Sequence, residues 1–393
     1  MNDAILHTDV QEFISENLHT DIPTLLFQKS PFDEVTIKEL TEQIEAKLKS
    51  KKKLPTWFSS ENIYYANKLN ISQTSSEQTA AYKANIVNGD SLVDSTAGFG
   101  VDAHAFSKNV KQVYHVEKNQ LLSTIARSNF KSMGVSNVTI IHADGIDFLK
   151  ETASKFDWIY VDPSRRTDAK EKVYFLSDCE PDITLSLDLF FSKSDNILIK
   201  TGPLLDLSRG TTQLRHVKQI HIVAVDNDVK EVLWVLEQGF KEEPTITAVN
   251  LRNDKKAVFE FLLSEEKSAV PIVSEPQKYL YEPNAALLKS GAFKLICTRL
   301  DVSKLHTHSH LYTSMEQQDF PGRVFEIKKV MNYTKKEIKQ LGLKKANITT
   351  RNFPDSVATI RKKLKLKDGG TDYLFFTKNL ENKLIIIHCF RLP

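Results

Sequence analysis

No apolar run in the 393 residues approaches the ~20 that cross a bilayer, which excludes a membrane-spanning protein. Cysteine is scarce: Cys179, Cys297 and Cys389 are odd in number and widely spaced, so they offer neither a disulfide framework nor a CxxC zinc knuckle. The start, Met1-Asn2-Asp3-Ala4-Ile5-Leu6, lacks a basic n-region and a long apolar stretch. No signal peptide is therefore expected, and a cytoplasmic, soluble protein is. Internal repeats and low-complexity tracts are missing as well. What is present is 41% hydrophobic residues, enough for packed cores and too many for a disordered chain. At ~150 residues per domain, that length allows two to four domains.

The net charge of +3 hides an asymmetry. Between Arg323 and Lys367 stand 14 Lys/Arg against three acids, Glu326, Glu337 and Asp355, so this segment carries +11 and the remainder −8. Such a split favours a polyanion-binding appendage on a nearly neutral body; the alternative is a solvated lysine-rich surface.

Residues 1–70 read as a helical domain. Val10, Phe13, Ile14 and Leu18 recur at helical spacing, as do Ile37, Leu40, Ile44 and Leu48. The second of these helices is expected to start near Asp33-Glu34 and to end in the basic run Lys49 to Lys53 before Pro55. A third is expected over Glu77 to Val87. From residue 90 the rhythm becomes strand, turn, helix, with short apolar runs at 91–94, 113–116, 138–141, 158–161, 197–200, 219–225 and 231–236. Helical patterns separate the first five, which implies a parallel sheet with crossovers, and Asp226-Asn227-Asp228 turns the last two into a hairpin. The result is an α/β domain over 71–264 with a seven-stranded sheet. A polar, proline-bearing bridge (265–275, then Pro276) leads to a small α/β unit over 276–320, with a helix from Pro283-Asn284 and a strand at Lys294–Thr298. A final module over 321–393 is expected to run strand 324–329, helix 334–341, strand 348–351, helix 355–363 and a hairpin of 372–377 with 384–390.

The most informative stretch is Asp94-Ser95-Thr96-Ala97-Gly98-Phe99-Gly100-Val101-Asp102, where a strand ends and a helix starts. Gly98 and Gly100 let the backbone turn tightly and approach a ligand, and the helix N-terminus offers unpaired N–H groups. The third glycine of a dinucleotide fingerprint is absent. An acid four residues before the first glycine suits instead an amino-acid nucleoside whose ammonium group seeks a carboxylate. Glu117 ends the second strand, where a carboxylate accepts both ribose hydroxyls. Asp144 ends the third, placed to accept an adenine amino group. Asp162 ends the fourth, followed by Pro163-Ser164-Arg165-Arg166. Single strand-end acids are ordinarily solvation devices; four at successive strand ends of an open α/β sheet mark a site.

These residues resemble those of class I S-adenosylmethionine-dependent methyltransferases. The Asp94–Asp102 loop is similar to the DxTAGxGxD loop of certain RNA methyltransferases, including a bacterial small-subunit rRNA guanine-N2 enzyme. The whole chain looks like a bacterial family of such enzymes with a C-terminal THUMP-like domain. Its marks are Gln73-Thr74-Ser75-Ser76-Glu77-Gln78-Thr79-Ala80, Asp162-Pro163-Ser164-Arg165-Arg166 and Ala346-Asn347-Ile348-Thr349-Thr350-Arg351-Asn352-Phe353. The resemblance implies a Rossmann-like methyltransferase domain, a ferredoxin-like unit over 276–320 and a THUMP-like RNA-binding domain over 321–393. It implies S-adenosylmethionine as cofactor: Asp94, Gly98 and Gly100, with Thr96 of the same loop, around the methionine part, Glu117 at the ribose and Asp144 at the adenine. Gln73 and Ser75 would close over the cofactor, although Ser75-Ser76 also suits a helix N-cap. Asp102 joins the cofactor set or simply complements the helix dipole.

Amino-group methyltransferases show Asn/Asp-Pro-Pro followed by an aromatic ring, and here Ser164 and Arg165 replace the second proline and the ring. An arginine face stacks on a base or pairs with phosphate. Asp162 is therefore expected to orient the nucleophile or accept its proton, and Arg165 and Arg166 to position the substrate. Pyrimidine C5 methylation needs a nucleophilic cysteine; the fifth strand ends Lys200-Thr201-Gly202-Pro203 without one, leaving Cys179 as the remaining candidate. The lysine clusters engage phosphate without reading bases. Phe353, Tyr373, Phe375 and Phe376 are expected in a core, and His306, His308 and His310 in a loop of solvated imidazoles with no metal. The expectation is an RNA methyltransferase acting on a tRNA or rRNA base. Its rivals are a small-molecule or protein methyltransferase and a non-catalytic RNA-binding assembly factor.

Overall fold

Side-chain caps at Asp21, Thr36, Asn67 and Ser76 start four of the first six helices. In a computed structural model, which describes residues 1–165, 175–253 and 255–392 (the side chains of Arg165, Lys335 and Lys339 excepted), six α-helices precede the first strand: α1 (Thr8–Glu16), α2 (Ile22–Leu26), α3 (Ile37–Lys53), α4 (Pro55–Ser59), α5 (Lys68–Gln73) and α6 (Glu77–Ala84). α3 starts three residues past Glu34, because Thr36 and Glu39 close a reciprocal capping box there. Val10 and Ile14 of α1 pack in one buried cluster with Leu40 and Ile44 of α3.

The chain divides into two compact units, Met1–Gln219 with Lys230–Glu242, and Ile220–Val229 with Glu243–Pro393. The seven strands expected between residues 90 and 240 are all present, most of them longer than their apolar runs. They are β1 (Gly89–Asp94), β2 (Val110–Glu117), β3 (Val138–His142), β4 (Trp158–Val161), β7 (Asn196–Thr201), β8 (Val217–Val225) and β9 (Asp228–Glu237). A two-residue ladder, β5 (Ser164–Arg165) with β6 (Cys179–Glu180), follows β4. In the first unit the order is β9-β7-β4-β1-β2-β3, with β9 antiparallel to β7 and the rest parallel. Crossovers run through α7 (Val101–Phe106), α8 (Gln120–Ser132), α9 (Gly145–Glu151) and α10 (Ile183–Lys193). Leu92, Val93, Val113, Val116, Ile159, Ile197 and Leu198 bury the sheet completely, the pattern of parallel strands covered on both faces. Strand order reverses at β1, with β2 on one side and β4 on the other, so a crevice opens outside their carboxyl ends. After α11 (Leu207–Gln213), β8 and β9 turn at Asp226-Asn227, both at positive φ (50° and 67°) as a tight hairpin turn demands.

In the second unit, β10 (Thr245–Arg252) and β11 (Lys255–Leu262) form an antiparallel pair that the sequence pattern does not announce. α12 (Leu263–Ser268) leads to β12 (Tyr279–Pro283) and α13 (Ala285–Ser290), which begins where expected and is capped by Asn284. The strand expected at 294–298 is instead a helix, α14 (Leu295–Arg299). Its first N–H groups are capped from afar: the Glu266 carboxylate accepts from Lys294 and Leu295, and Leu295, Ile296 and Cys297 are all buried. The remaining elements are β13 (Ser303–Lys304), β14 (Tyr312–Ser314), β15 (Gly322–Asn332), α15 (Lys335–Gln340), β16 (Asn347–Thr350), α16 (Val357–Leu364), β17 (Asp372–Lys378) and β18 (Leu384–Arg391). They build a seven-stranded sheet in the order β13-β14-β12-β15-β18-β17-β16. Alternation along β17 and β18 serves two faces, with Phe375, Ile385 and Ile387 in one cluster and Leu374, Phe376 and Ile386 in the other. The histidine segment departs from the solvated loop expected of it. His306 is buried between Asn382 and Asn352, and His310 stacks on Phe293 at 3.7 Å; only His308 of the three is exposed.

Candidate active site

A cavity of about 530 Å³ lies at the carboxyl ends of β1, β2, β3, β4 and β7, within the first unit. Gln73, Ser75, Asp94, Thr96, Gly98, Asp102, Glu117, Asp144 and Asp162 all line it. Gly100 does not. It caps α7 at φ 94°, and a Cβ there would stand 2.8 Å from the Phe130 ring, so its part is to let the helix start against α8. Of Arg165 only the backbone is described, paired with Cys179, and Arg166 lies outside the described residues.

The loop after β1 is held by carboxylates accepting main-chain N–H groups. Asp94, 1% exposed, accepts from Thr96 at 3.2 Å. Burial first, and then the Asp102, Asp162 and Glu117 carboxylates, raise its pKa well above the usual range. Gly98, at φ 55°, donates to Glu117 Oε2 at 2.8 Å, and Asn119 N–H donates to Oε1 at 2.7 Å. Each carboxylate oxygen has two lone pairs, so Glu117 keeps acceptor capacity toward the cavity. Thr96 Oγ1 accepts from the Asp162 N–H at 2.7 Å and ties the loop to the end of β4. Asp144 caps α9 through Oδ1. The next residue, Gly145, packs so closely that a Cβ would lie 2.1 Å from the Ser95 carbonyl oxygen.

Beneath the loop sits a set of buried charges that sequence reasoning missed. Ser75 is not the helix cap: Ser76 caps α6, and Ser75 Oγ donates to Asp102 Oδ2 at 2.8 Å. Tyr160 Oη donates to the same oxygen at 2.8 Å. Lys83 Nζ donates to Ser75 Oγ at 3.0 Å and to both Glu231 oxygens at 2.9 Å, and lies 3.3 Å from Asp102 Oδ1, which has no hydrogen-bond partner. Lys83 and Glu231 are almost wholly enclosed. Burial opposes the Asp102 carboxylate, but Lys83 and Lys200, with the Ser75 and Tyr160 hydroxyls, outweigh it and lower its pKa. For Glu231 burial wins over the same two lysines and the pKa rises. Lys200 Nζ donates to Asp162 Oδ2. Burial would lower the Lys200 ammonium, yet Asp162, Glu231 and Asp102 more than compensate and hold it above its usual value. The available signal is a charge inside an apolar stretch: Lys83 between Ala80 and Ala84, Lys200 after Ile197-Leu198-Ile199, Glu231 before Val232-Leu233.

Even with Asp94 counted as neutral, five carboxylates and two lysines line the cavity, a balance that favours a cationic ligand. An open parallel sheet with a glycine turn after its first strand and acids at the next strand ends defines the class I methyltransferase architecture. Family models match in three stretches: conserved hypothetical protein 95 over residues 74–177, a ferredoxin-like domain over 279–321, and a THUMP domain-like module over 322–391. A candidate methyltransferase from Porphyromonas gingivalis W83 is 31% identical, with 99% of this chain and 98% of that one covered at a TM-score of 0.89. An uncharacterized RNA methyltransferase of Mycoplasma mobile is 34% identical over 79 residues, 20% of this chain, and the match spans only 21% of that relative's length. The chain belongs to the family of the Porphyromonas gingivalis protein, class I S-adenosylmethionine-dependent methyltransferases with ferredoxin-like and THUMP-like C-terminal modules. The residues present fit that cofactor. A buried carboxyl group stands at Asp94, positive-φ Gly98 opens the loop, and the enclosed Asp102 Oδ1, ion-paired with Lys83 at 3.3 Å, has no hydrogen-bond partner.

Proposed function

We propose that this chain transfers the methyl group of S-adenosylmethionine to a nitrogen of an RNA base, in tRNA or rRNA, and that the basic 323–367 segment binds the RNA. One observation carries the reading: an acid-lined cavity that ends at Asp162-Pro163, where a carboxylate faces the same space as the cofactor residues. In this reading Asp94 and the Gly98 turn hold the methionine part, Glu117 the ribose hydroxyls and Asp144 the adenine amino group. Gln73 and Ser75 close the near wall. When bound, the cofactor supplies an electrophilic methyl: the target nitrogen's lone pair forms the new N–C bond, the C–S electron pair stays on sulfur, and the nitrogen's proton leaves to water. Asp162 accepts a hydrogen bond from the target N–H and aligns it; alignment is most of what such a reaction asks of a protein.

The basic segment supports an RNA substrate through charge that is only partly used inside the fold. Arg323 and Arg351 both bond the buried Glu282, Arg361 bonds Asp368 and Lys363 bonds Asp355. Lys362, Lys365 and Lys367 are exposed, and among the described residues none has an acidic partner. Phosphate contacts of this kind predict salt-sensitive binding. The test is transfer of labelled methyl to bulk RNA from a strain lacking this protein, expected with the intact chain and far slower, but still measurable, with Asp162→Ala. Transfer to proteins or small molecules only would sink the RNA reading. RNA binding without any transfer would favour an assembly factor.

A further inference from the structure

Lys200 enters neither the loop that holds the cofactor nor any family motif quoted above, yet it lines the cavity with its side chain 13% exposed. The sheet puts it there. Val161 of β4 pairs with Ile199 of β7 in parallel register, so the next residues, Asp162 just past β4 and Lys200 within β7, stand side by side. The ammonium bonds Asp162 Oδ2, while the Asp162 main chain is fixed separately by its N–H to Thr96 Oγ1. The residue is thus held once through its main chain and once through Oδ2, and Oδ1 is the oxygen not engaged by the lysine. The pair is only partly buried, with the Lys200 side chain 13% and the Asp162 side chain 32% exposed, so solvent screens the attraction and it adds little stability. Its use is directional.

We infer that Lys200 is a positioning residue for the methyl acceptor: it holds Asp162 as an acceptor-only carboxylate aimed at the target, and so restricts the target to a neutral group that donates N–H, such as an exocyclic nucleobase amine. An acceptor-only carboxylate cannot pair with the lone pair of an unprotonated ring nitrogen, and it needs no proton from the target when water takes it. The inference rests on the base-methylation reading above and narrows it.

The experiment compares Lys200→Met, Lys200→Arg, Asp162→Ala and the double variant Lys200→Met/Asp162→Ala. Each is assayed for S-adenosylmethionine affinity by calorimetry and for kcat and KM with RNA from the deletion strain. Lys200→Met is expected to lower kcat ~10- to 100-fold, with cofactor Kd and RNA KM within about threefold of the parent. Lys200→Arg should recover most of that loss. The double variant should be no slower than Asp162→Ala alone, since the lysine acts only through the aspartate. Full kcat in Lys200→Met, or losses that multiply in the double variant, would overturn the inference while leaving RNA methylation intact. An alkylated product at a ring nitrogen that carries no hydrogen would overturn it too. A parent chain that binds the cofactor and methylates no RNA defeats the broader reading instead. If Lys200→Met binds no cofactor, Lys200→Gln takes its place, and a second loss of cofactor heat makes the lysine structural and refutes the positioning role.

Discussion

Glu117 and Asp162 end two strands of one sheet and face one cavity, yet they are held by opposite means. Both Glu117 oxygens accept main-chain N–H groups, from Gly98 and Asn119. Asp162 is gripped by a side chain, the Lys200 ammonium, which in turn lies in the field of Glu231 and Asp102. Main-chain donors come with the loop and cannot be lost without refolding it. A side-chain donor depends on its own buried partners, so the placing of Asp162 is sensitive to residues far from it in sequence.

The largest expected break is on the side-chain-held half. Lys83→Met leaves Glu231, 1% exposed, and Asp102 without the ammonium they directly pair with, and only the field of Lys200 remains. Removing one partner of a buried pair costs about 3–5 kcal/mol, read as a lowered urea midpoint with unchanged slope. Adding Glu231→Gln should recover part of it, because the surplus buried charge is then gone. Equal midpoints for parent and Lys83→Met would show that water reaches the pair. Next in size is a pH effect. His115 is fully buried, with neither ring nitrogen hydrogen-bonded, and burial lowers its pKa to about 4. The folded state therefore binds fewer protons than the unfolded one between roughly pH 4 and 6.5. Its contribution to stability is complete above pH 6.5 and is lost as the pH falls toward 4, on the order of 1–3 kcal/mol. His115→Leu should flatten the stability–pH curve in that window; an unchanged slope would refute burial as the cause.

The main-chain-held half breaks differently. Gly145→Ala drives a Cβ to 2.1 Å from the Ser95 carbonyl oxygen, backbone against backbone. Overpacking of this sort costs about 1–3 kcal/mol, and because Ser95 belongs to the loop after β1, S-adenosylmethionine affinity should fall ~10-fold or more. Calorimetry showing parental affinity would mean that α9 and the loop move apart freely, and the comparison with Asp162 would lose its basis.

What could be read from sequence follows the same line. Asp94 and Glu117 end strands and Asp144 and Asp162 follow β3 and β4 within two residues, so their place at the sheet edge is a local pattern legible in the sequence. The Lys83–Glu231 pair joins residues 148 apart, and Lys200 meets Asp162 through strand register, which no local pattern encodes. Ser75 illustrates the limit at adjacent positions: Ser75 and Ser76 look alike in sequence, and tertiary placement made one a ligand of Asp102 and the other a cap. α14 failed for a related reason. Leu295-Ile296-Cys297 is too short to show a period, and its capping acid, Glu266, lies 29 residues before Leu295.

The smallest expected effect asks whether the C-terminal charge repeats the contrast. Glu282, 3% exposed, grips Arg323 and Arg351, so these two of the basic residues answer to the fold, as Lys200 answers to Asp162. Exposed Lys362, Lys365 and Lys367 answer to solvent. Alanine at these three should weaken RNA binding several-fold and reduce the slope of log affinity against log salt by about 0.7–0.9 for each phosphate that is no longer neutralised. Arg323→Ala should lower thermal stability and leave that slope alone, because the arginine it removes is occupied by a buried carboxylate. A slope that falls with Arg323→Ala and stays with the lysine variants would reverse the assignment: the RNA would then be meeting the Glu282 side of the module, and the lysines would be an ordinary solvated face.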